Sequence, residues 1–367
     1  MLLKPLLDEV VKRKGSDLHM KIGAPPTVRV DGQLVPLDVP SCTHEQMDAA
    51  VAEVLSPSQM KEFKETSEVD FAFGVPGLGR FRANFYRQRG STAMAFRLIP
   101  FDPPHLKELN LPAIIEELAL KPRGLVLVTG TVGSGKSTTL AAMVREINDH
   151  LRKNIITIED PVEFLHRDQN SLISQREVGN DTESFAAALR HILRQDPDVI
   201  LIGEIRDQLT MSTALTAANT GHLVLSTLHT VDAAQAVNRI ISFFPPHQHQ
   251  EIRFLMASCL QAIVSMRLVP REDGKGRVPA TEVMLATGTV KEYLADANRT
   301  HLIKTVIEES TTEYGMQSFD QSLLSWYNRG VISLENALRY ASSPTALQIK
   351  AKGIETGTEA SWAPFEA

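Results

Sequence analysis

The sequence predicts an α/β protein in which a small α+β domain precedes a core built on a parallel sheet, and helices follow the core. Two patterns support this fold class. From residue 112 onward, short apolar runs alternate with stretches of helical periodicity, an order typical of parallel sheets. Before residue 100, apolar stretches flank turn residues such as Asp31-Gly32, which indicates antiparallel hairpins.

The chain is expected to divide into an N-terminal domain over 1–99, a linker over 100–111, a core over 112–288, helices over 289–349 and a tail over 350–367. The prolines of the linker predict an extended, semi-rigid segment. The tail is polar and rich in small residues, which predicts disorder.

Elements of the N-terminal domain follow from apolar spacing and turn residues. They are a helix ending near Gly15, a hairpin around Asp31-Gly32, a polar helix over 43–55, and strands over 69–75, 80–88 and 92–98.

The end of the core and the region after it are assigned in the same way. We expect a helix over 247–264, a hairpin over 267–285, and helices over 290–294, 301–307, 319–327 and 334–340.

One glycine-rich stretch of the core matches G-x-x-x-x-G-K-[ST], the Walker A pattern. The apolar run Leu125–Val128 before it predicts a strand, and apolar residues at helical spacing after it predict a helix. In that context the glycines let backbone N–H groups close around phosphate oxygens, and the helix N-terminus adds positive potential. The pattern therefore predicts an ATP site, made by Gly130, Thr131, Val132, Gly133, Ser134, Gly135, Lys136, Ser137 and Thr138.

Two side chains of this loop have expected roles in chemistry. Lys136 should reach the β- and γ-phosphates, and Ser137 should ligate Mg²⁺. ATP and Mg²⁺ are thus the expected cofactors.

Glu163, Glu204 and His229 each follow a predicted strand of the core. Parallel sheets bind ligands at the carboxyl ends of their strands, so each of these residues can face the phosphate loop. Glu204 occupies the place of a Walker B acid, although Gly203 replaces the usual last aspartate, and it should hold a water bound to Mg²⁺. Glu163 is the better candidate for polarising the attacking water.

Two histidines flank one predicted strand. His229, after the strand, is a candidate phosphate contact. His222, before it, is about 20 Å away at ~3.3 Å per residue, so the two cannot share a metal. His222 is expected to be structural or at an interface.

Five arginines lie on two neighbouring strands of the N-terminal domain: Arg80, Arg82, Arg87, Arg89 and Arg97. A solvated sheet face is the expectation for most of them, with an RNA-binding face as the alternative. Arg82 and Arg97 are candidates for a different role, which depends on a family resemblance.

Composition limits the classes of function. The 367 residues are 43% hydrophobic and 22% charged, as in ordinary globular proteins, and no apolar run approaches the roughly 18 residues that span a bilayer. A net charge of −6 argues against a duplex-DNA partner. The N-terminus does not have the pattern of a signal peptide, and Cys42 and Cys259 form no metal spacing, so a cytoplasmic protein without zinc is expected.

Several stretches together resemble the secretion ATPase superfamily, and within it the type IV pilus retraction ATPases, the PilT and PilU group. The resemblance runs from about residue 6 to 350. The matching stretches are Gly15-Ser16-Asp17-Leu18-His19, Ile158-Glu159-Asp160-Pro161-Val162-Glu163, Gln175-Arg176-Glu177-Val178-Gly179, Leu193 to Asp198, Gly203-Glu204-Ile205-Arg206-Asp207, and Gly221-His222 to Leu228-His229.

This resemblance implies a RecA-like P-loop NTPase core, a PAS-like N-terminal domain, and homohexamers that hydrolyse ATP between subunits to drive pilus retraction and twitching motility. It implies that Glu163 is the catalytic glutamate, that Glu204 acts through Mg²⁺, and that Arg82 and Arg97 reach the nucleotide. Implied partners are an inner-membrane platform protein of the pilus, at which the ATPase is peripheral, and a paralogous retraction ATPase. Nucleic acid is not an expected partner.

Three departures from the family pattern leave alternatives open. Thr131 and Val132 stand where the family usually has Pro-Thr, a change that keeps the backbone cradle. The retraction motif is replaced by Thr289 to Asp296, and residues 268–277 look more like PilU. An accessory ATPase that depends on a partner motor is therefore the main alternative. A nucleic-acid translocase and a non-enzymatic nucleotide switch are less favoured.

Overall fold

The computed structural model describes residues 3–30, 32–310 and 315–352, which fall into two compact units, Met1–Phe101 and Asp102–Ala367. Its strands are β1 (Asp17–Lys21), β2 (Thr27–Val30), β3 (Gln33–Pro36), β4 (Glu68–Val75), β5 (Gly79–Gln88), β6 (Ser91–Ile99), β7 (Gly124–Thr129), β8 (Asn154–Glu159), β9 (Leu172–Glu177), β10 (Val199–Ile202), β11 (Leu223–Leu228), β12 (Leu260–Pro270) and β13 (Arg277–Leu285).

The α-helices within the described ranges are α1 (Lys4–Lys12), α2 (His44–Val54), α3 (Pro57–Thr66), α4 (Ile114–Ala119), α5 (Lys136–His150), α6 (Phe185–Ile192), α7 (Gln208–Asn219), α8 (Ala233–Ser242), α9 (His249–Cys259), α10 (Gly288–Ala295), α11 (Ile303–Glu309), α12 (Phe319–Asn328), α13 (Leu334–Tyr340) and α14 (Pro344–Ala351). Short 3-10 helices lie at Leu106–Leu109, Pro246–Gln248 and Thr300–Leu302.

The first unit is an antiparallel sheet with the strand order β3-β2-β1-β6-β5-β4. Along β5 buried residues alternate with less buried ones, as expected for a sheet with one covered face. The covered face contributes Phe81, Phe85 and Phe96 to a core that helices α1 to α3 complete. The opposite face carries Arg82, which lies directly across from Arg97 on β6.

Side-chain capping explains where two helices of this unit begin. The side chains of Thr43 and Ser56 each accept a hydrogen bond from the backbone N–H three residues on. The glutamine at that position accepts one in turn, through its side-chain oxygen, from the backbone N–H of Thr43 or Ser56. These capping boxes satisfy backbone donors that a helix start leaves unpaired. Pro57 in the first turn of α3 reinforces that start, because its fixed φ suits a helix and its missing N–H is not needed there.

The second unit contains a seven-stranded sheet with the order β13-β12-β7-β11-β10-β8-β9. All neighbours are parallel except β13, which pairs antiparallel with β12. Strand β7 is buried along its whole length because helices cover both faces of the sheet. Leu125 and Leu127 join the core on one face, whereas Val126 and Val128 join the core on the other.

The C-terminal helices pack on the β12–β13 hairpin. Trp326 on α12 donates its indole N–H to the Pro279 carbonyl at 2.7 Å, and the Arg267 guanidinium lies 3.7 Å from the ring centre of Phe319. These contacts place α12 to α14 on the edge of the sheet opposite β9. Within the described ranges, no helix is long and apolar enough to cross a membrane.

The structure corrects several expected boundaries. The helix over 247–264 is wrong beyond Cys259, because Leu260 to Val264 belong to β12 and pair in parallel with β7. The tail does not begin at Lys350, since α14 continues to Ala351, and residues 353–367 lie outside the described part. Elements that the sequence patterns did not predict are α3, β1, β9, α8 and α14.

Candidate functional site

The phosphate loop connects β7 to α5, and its glycines are required by its path. Gly130 has a φ of 146°, and a Cβ there would lie 2.5 Å from Ser134 Oγ and 2.6 Å from the Met266 carbonyl oxygen. Gly135 has a φ of 98° and is the last residue before α5 begins at Lys136. A side chain at either position would be strained, so the loop keeps the compact shape that exposes its N–H groups.

Lys136 is buried in the first turn of α5, and its ammonium closes the loop. Nζ donates to the carbonyl oxygens of Gly130 and Thr131, each at 2.9 Å. Burial lowers the pKa of Lys136, and the nearby Glu204 carboxylate opposes that change. An ammonium held by neutral carbonyls in a site of low polarity is well placed to bind an anion.

The other polar atoms of the loop fit a phosphate and a magnesium ion. Ser134 Oγ is buried and, among the described residues, has no hydrogen-bond partner, a need that a phosphate oxygen would meet. The Ser137 side chain is exposed in the first turn of α5, and hydroxyl and carboxylate oxygens are the donors that Mg²⁺ prefers. Val132, at the tip of the loop, is 87% exposed, so replacing the family's usual threonine leaves the backbone cradle unobstructed.

Glu204 and His229 are brought together because β10 and β11 are parallel neighbours. Thr227 Oγ1 donates to the Gly203 carbonyl at 2.8 Å, and the Ile205 N–H donates to the Thr227 carbonyl at 3.1 Å, which joins the two strand ends. His229 Nε2 then lies 3.2 Å from Glu204 Oε2. The other carboxylate oxygen of Glu204 forms an ion pair with Arg206.

Glu163 lies in the loop between β8 and β9, and its side chain is exposed. In the part of the chain that the structure describes, no hydrogen bond or ion pair joins Glu163 to Lys136, Glu204 or His229. The expected set is therefore only partly in contact. The Glu204 carboxylate interacts electrostatically with Lys136 and contacts His229, whereas Glu163 lies on a separate loop.

His222 has a separate environment at the start of β11. Its backbone N–H donates to the Ala217 carbonyl at 3.1 Å, and its ring Nδ1 lies 3.0 Å from the same oxygen. The ring also lies 3.3 Å from the Thr220 hydroxyl. These contacts tie the end of α7 to β11, so His222 has a structural role here.

Arg97 on β6 is paired with an aspartate on the neighbouring strand. Its Nε donates to Asp17 Oδ1 at 2.9 Å, and Ser16 Oγ donates to Asp17 Oδ2 at 2.7 Å. Burial opposes ionisation of Asp17, but these hydrogen bonds outweigh it and lower the pKa of the carboxyl. The Arg97 side chain remains 68% exposed, and Arg82 beside it is also exposed.

Two residues of the site were not identified from residue patterns. Arg206 binds Glu204, and Asp17 binds Arg97. Both lie within stretches that carry the family resemblance, Gly203-Glu204-Ile205-Arg206-Asp207 and Gly15-Ser16-Asp17-Leu18-His19. Their place in these motifs was therefore the only sequence signal for Arg206 and Asp17. Their contacts with Glu204 and Arg97 depend on strand pairing.

The chain is similar to known ATPases along most of its length. Residues 1–322 match the family described as Type II/IV secretion system protein. The type IV pilus ATPase PilU of Pseudomonas aeruginosa is 43% identical over 352 residues, covering 96% of this chain and 92% of that protein. The type IV pilus retraction ATPase PilT of the same organism is 41% identical, covering 92% and 98%.

A solved structure gives the same result for the fold. The crystal structure of the pilus retraction motor PilT with bound ADP aligns with a TM-score of 0.87 at 42% identity, covering 95% of this chain and 98% of that one. The predicted α/β fold class and the predicted resemblance are confirmed. The chain belongs to the Type II/IV secretion system protein family and is a homologue of the type IV pilus ATPases PilT and PilU.

Proposed function

We propose that this protein is a motor ATPase that hydrolyses ATP to drive type IV pilus retraction. The observation that carries this proposal is a complete phosphate loop with a buried lysine, inside a chain that is 41–43% identical to PilT and PilU over nearly its full length. Family membership makes the chain a nucleotide-binding ATP hydrolase. The names of both relatives indicate that the type IV pilus is the structure on which such a motor acts.

Each site residue has a proposed task in hydrolysis. Lys136 contacts the β- and γ-phosphates, and the loop residues Gly130 to Thr138 surround the phosphate chain. Glu163 orients the attacking water. Ser137, and Glu204 through a water, hold Mg²⁺, which when bound neutralises charge on the phosphate oxygens. His229 keeps the Glu204 carboxylate in place through their 3.2 Å contact.

Arg82 and Arg97 are proposed to contact the nucleotide in the assembled protein. The two arginines are directly opposite each other on neighbouring strands and both are exposed, and like charges in that arrangement are unfavourable unless an anion binds them. Asp17 balances one of the two charges by accepting a hydrogen bond from Nε of Arg97, which leaves the terminal N–H groups of that guanidinium for another acceptor. This arrangement suits binding of a phosphate oxygen.

Assembly and location are part of the same proposal. We propose a homohexamer on the cytoplasmic side of the inner membrane, held there by the platform protein of the pilus. The motor acts with a paralogous ATPase where a cell has both. The second candidate function is an accessory retraction ATPase, which the different sequence of α10 and the PilU similarity favour.

The test uses a strain that lacks its retraction ATPases and has many unretracted pili. This chain is expressed alone or together with the partner ATPase, and twitching and surface pili are scored. Restored twitching from this chain alone supports the autonomous motor, whereas restoration only with the partner supports the accessory function. Purified protein whose turnover rises sharply with DNA or RNA would instead indicate a translocase.

A further inference from the structure

The loop that carries Glu163 is fastened to the edge strand of the sheet. This loop joins β8 to β9, and β9 is the last strand of the seven-stranded sheet. Gln175 and Glu177 are two residues apart on β9, so their side chains lie on the same face of that strand. Both side chains bind backbone groups of the loop.

Gln175 uses both ends of its amide. Its Nε2 donates to the Phe164 carbonyl at 2.9 Å, and its Oε1 accepts the His166 N–H at 2.9 Å. The same Nε2 lies 3.2 Å from Glu159 Oε1 at the end of β8. One side chain therefore joins the residue after Glu163, the next turn of the loop and the preceding strand.

Glu177 holds the other side of the loop. It is buried, and its Oε2 accepts the Val162 N–H at 3.2 Å. Val162 and Phe164 are the two chain neighbours of Glu163. The backbone on each side of Glu163 is thus bound to a side chain from β9, two positions apart on that strand.

Glu159, at the end of β8, also contacts the backbone of the Glu163 loop. The Thr157 hydroxyl donates to Glu159 Oε1 at 2.6 Å, and the backbone N–H of Glu163 interacts with the same carboxylate. Burial raises the pKa of Glu159, and these hydrogen bonds oppose that rise. Three donors thus converge on this partly buried carboxylate and hold it in one orientation.

We propose that Gln175 is a positioning residue for catalysis. It fixes the backbone at Glu163, so that the exposed Glu163 side chain extends from one defined Cα position. This inference rests on the proposed function of Glu163. The Glu163 side chain makes no hydrogen bond or ion pair of its own among the described residues, so its location depends on the backbone beneath it. A displacement of about 1 Å at a reacting group can cost on the order of 100-fold in rate.

The experiment compares Gln175→Ala with Ser174→Ala, the exposed residue next to it on the same strand. We expect Gln175→Ala to lower kcat about 10- to 100-fold, with the affinity for a fluorescent ADP analogue and the Tm close to those of the wild type. Ser174→Ala should keep normal kcat. An unchanged kcat for Gln175→Ala, or a loss of kcat that only follows a loss of ADP binding and Tm, would overturn the proposal.

Gln175→Glu tests the same point with almost no change in volume. It keeps an acceptor for the His166 N–H but removes the donor to Phe164 and places a second carboxyl beside Glu159. We expect its kcat to fall while ADP binding is kept, which also decides the matter if Gln175→Ala does not fold. Normal kcat in this variant contradicts the proposal.

Single-turnover hydrolysis separates this inference from the function on which it rests. If Gln175 acts through Glu163, adding Gln175→Ala to Glu163→Gln should slow hydrolysis by less than about 2-fold further. A further drop equal to that of Gln175→Ala alone shows that Gln175 acts independently. Normal turnover in Glu163→Gln alone refutes the role of Glu163, whereas slow turnover there with normal turnover in Gln175→Ala refutes only the positioning role.

Discussion

At the scale of single residues, the proposed site separates nucleotide binding from bond cleavage. Lys136 belongs to the loop itself, since its ammonium binds two loop carbonyls, whereas Glu163 stands on a different loop and touches none of these groups. Removing the first should affect the shape and charge of the phosphate site. Removing the second should leave that site intact.

Glu163→Gln is therefore expected to bind ATP normally and to lose turnover, because the amide cannot take up the proton of the attacking water. Lys136→Ala should lose hydrolysis by about 10²-fold or more, because it removes a donor to the transferred phosphoryl group. Phosphate release and equilibrium binding of an ATP analogue measure the two effects, with the exposed Lys121→Ala as the control. If Glu163→Gln loses binding and turnover together, Glu163 is structural and Glu204 becomes the candidate for orienting water.

Arg82 and Arg97 give a prediction at the same scale. A solvated arginine contributes little, but an arginine that contacts the γ-phosphate in the transition state is worth about 10³–10⁵ in rate. Arg82→Ala and Arg97→Ala should lower turnover by about 10³-fold or more while light scattering shows intact assemblies. Arg29→Ala is the matched control, since Arg29 lies 3.9 Å from the same Asp17 carboxylate but has no proposed role. Near-normal turnover in intact assemblies refutes the arginine roles.

At the scale of elements, the helix that follows His229 is anchored by a buried acid. Glu282 on β13 accepts the N–H of Ala233, the first residue of α8, at 2.8 Å. Burial raises the pKa of Glu282 from 4.5 to about 7; the nearby Asp232 adds to this rise, and Arg267 and Lys304 oppose it. Since the folded protein holds this proton more tightly than the unfolded chain, the contribution of Glu282 to stability is fully present below pH 4.5 and is lost as pH rises through about 7.

Glu282→Gln should remove this pH dependence, because the amide keeps an acceptor for Ala233 and does not ionise. The variant should match the wild type near pH 4 and exceed its stability at pH 8 by up to about 3 kcal/mol. Urea unfolding at both pH values measures the difference. Equal pH profiles for the two proteins would show that Glu282 is not buried as a neutral acid.

The elements also show what the sequence could and could not predict. The strand before the phosphate loop was predictable because the centre of β7, Leu125 to Val128, is an unbroken apolar run, and α13 was predicted with its observed ends at Leu334 and Tyr340. The segment Leu260 to Val264 was assigned to a helix because a short apolar run fits a buried helix or a buried strand equally well, and only its pairing with β7 decides. Strand β9 was missed because its polar residues serve the Glu163 loop and break the apolar pattern.

At the scale of the whole molecule, the site itself was less predictable than the fold. The phosphate loop follows from a local pattern, so Gly130 to Ser137 could be identified without tertiary structure. The contacts Glu204–His229, Arg97–Asp17 and Gln175–Phe164 join residues 25, 80 and 11 positions apart. Such contacts depend on strand order and register, which single-sequence patterns do not determine.

The proposed ring predicts how sites are shared between subunits. Lys136 and Arg97 are in different compact units of the chain, and the proposed site needs both. In a head-to-tail ring each subunit can supply one surface to its neighbour, so a site can take Lys136 from one subunit and Arg97 from the next. Lys136→Ala and Arg97→Ala subunits should each be inactive alone for this reason, yet active when they are mixed in one ring.

Mixing the two variants in equal amounts, with subunit exchange verified by energy transfer between differently labelled subunits, should restore about a quarter of wild-type turnover, because that share of the interfaces in a randomly mixed ring is intact on both sides. Mixing Lys136→Ala with Glu163→Gln is the control, since both residues lie in the same unit and no interface regains a complete site. Rings that exchange subunits but stay inactive place Lys136 and Arg97 of one site in the same subunit. A dilute monomer with full turnover shows that neighbours are not needed for catalysis.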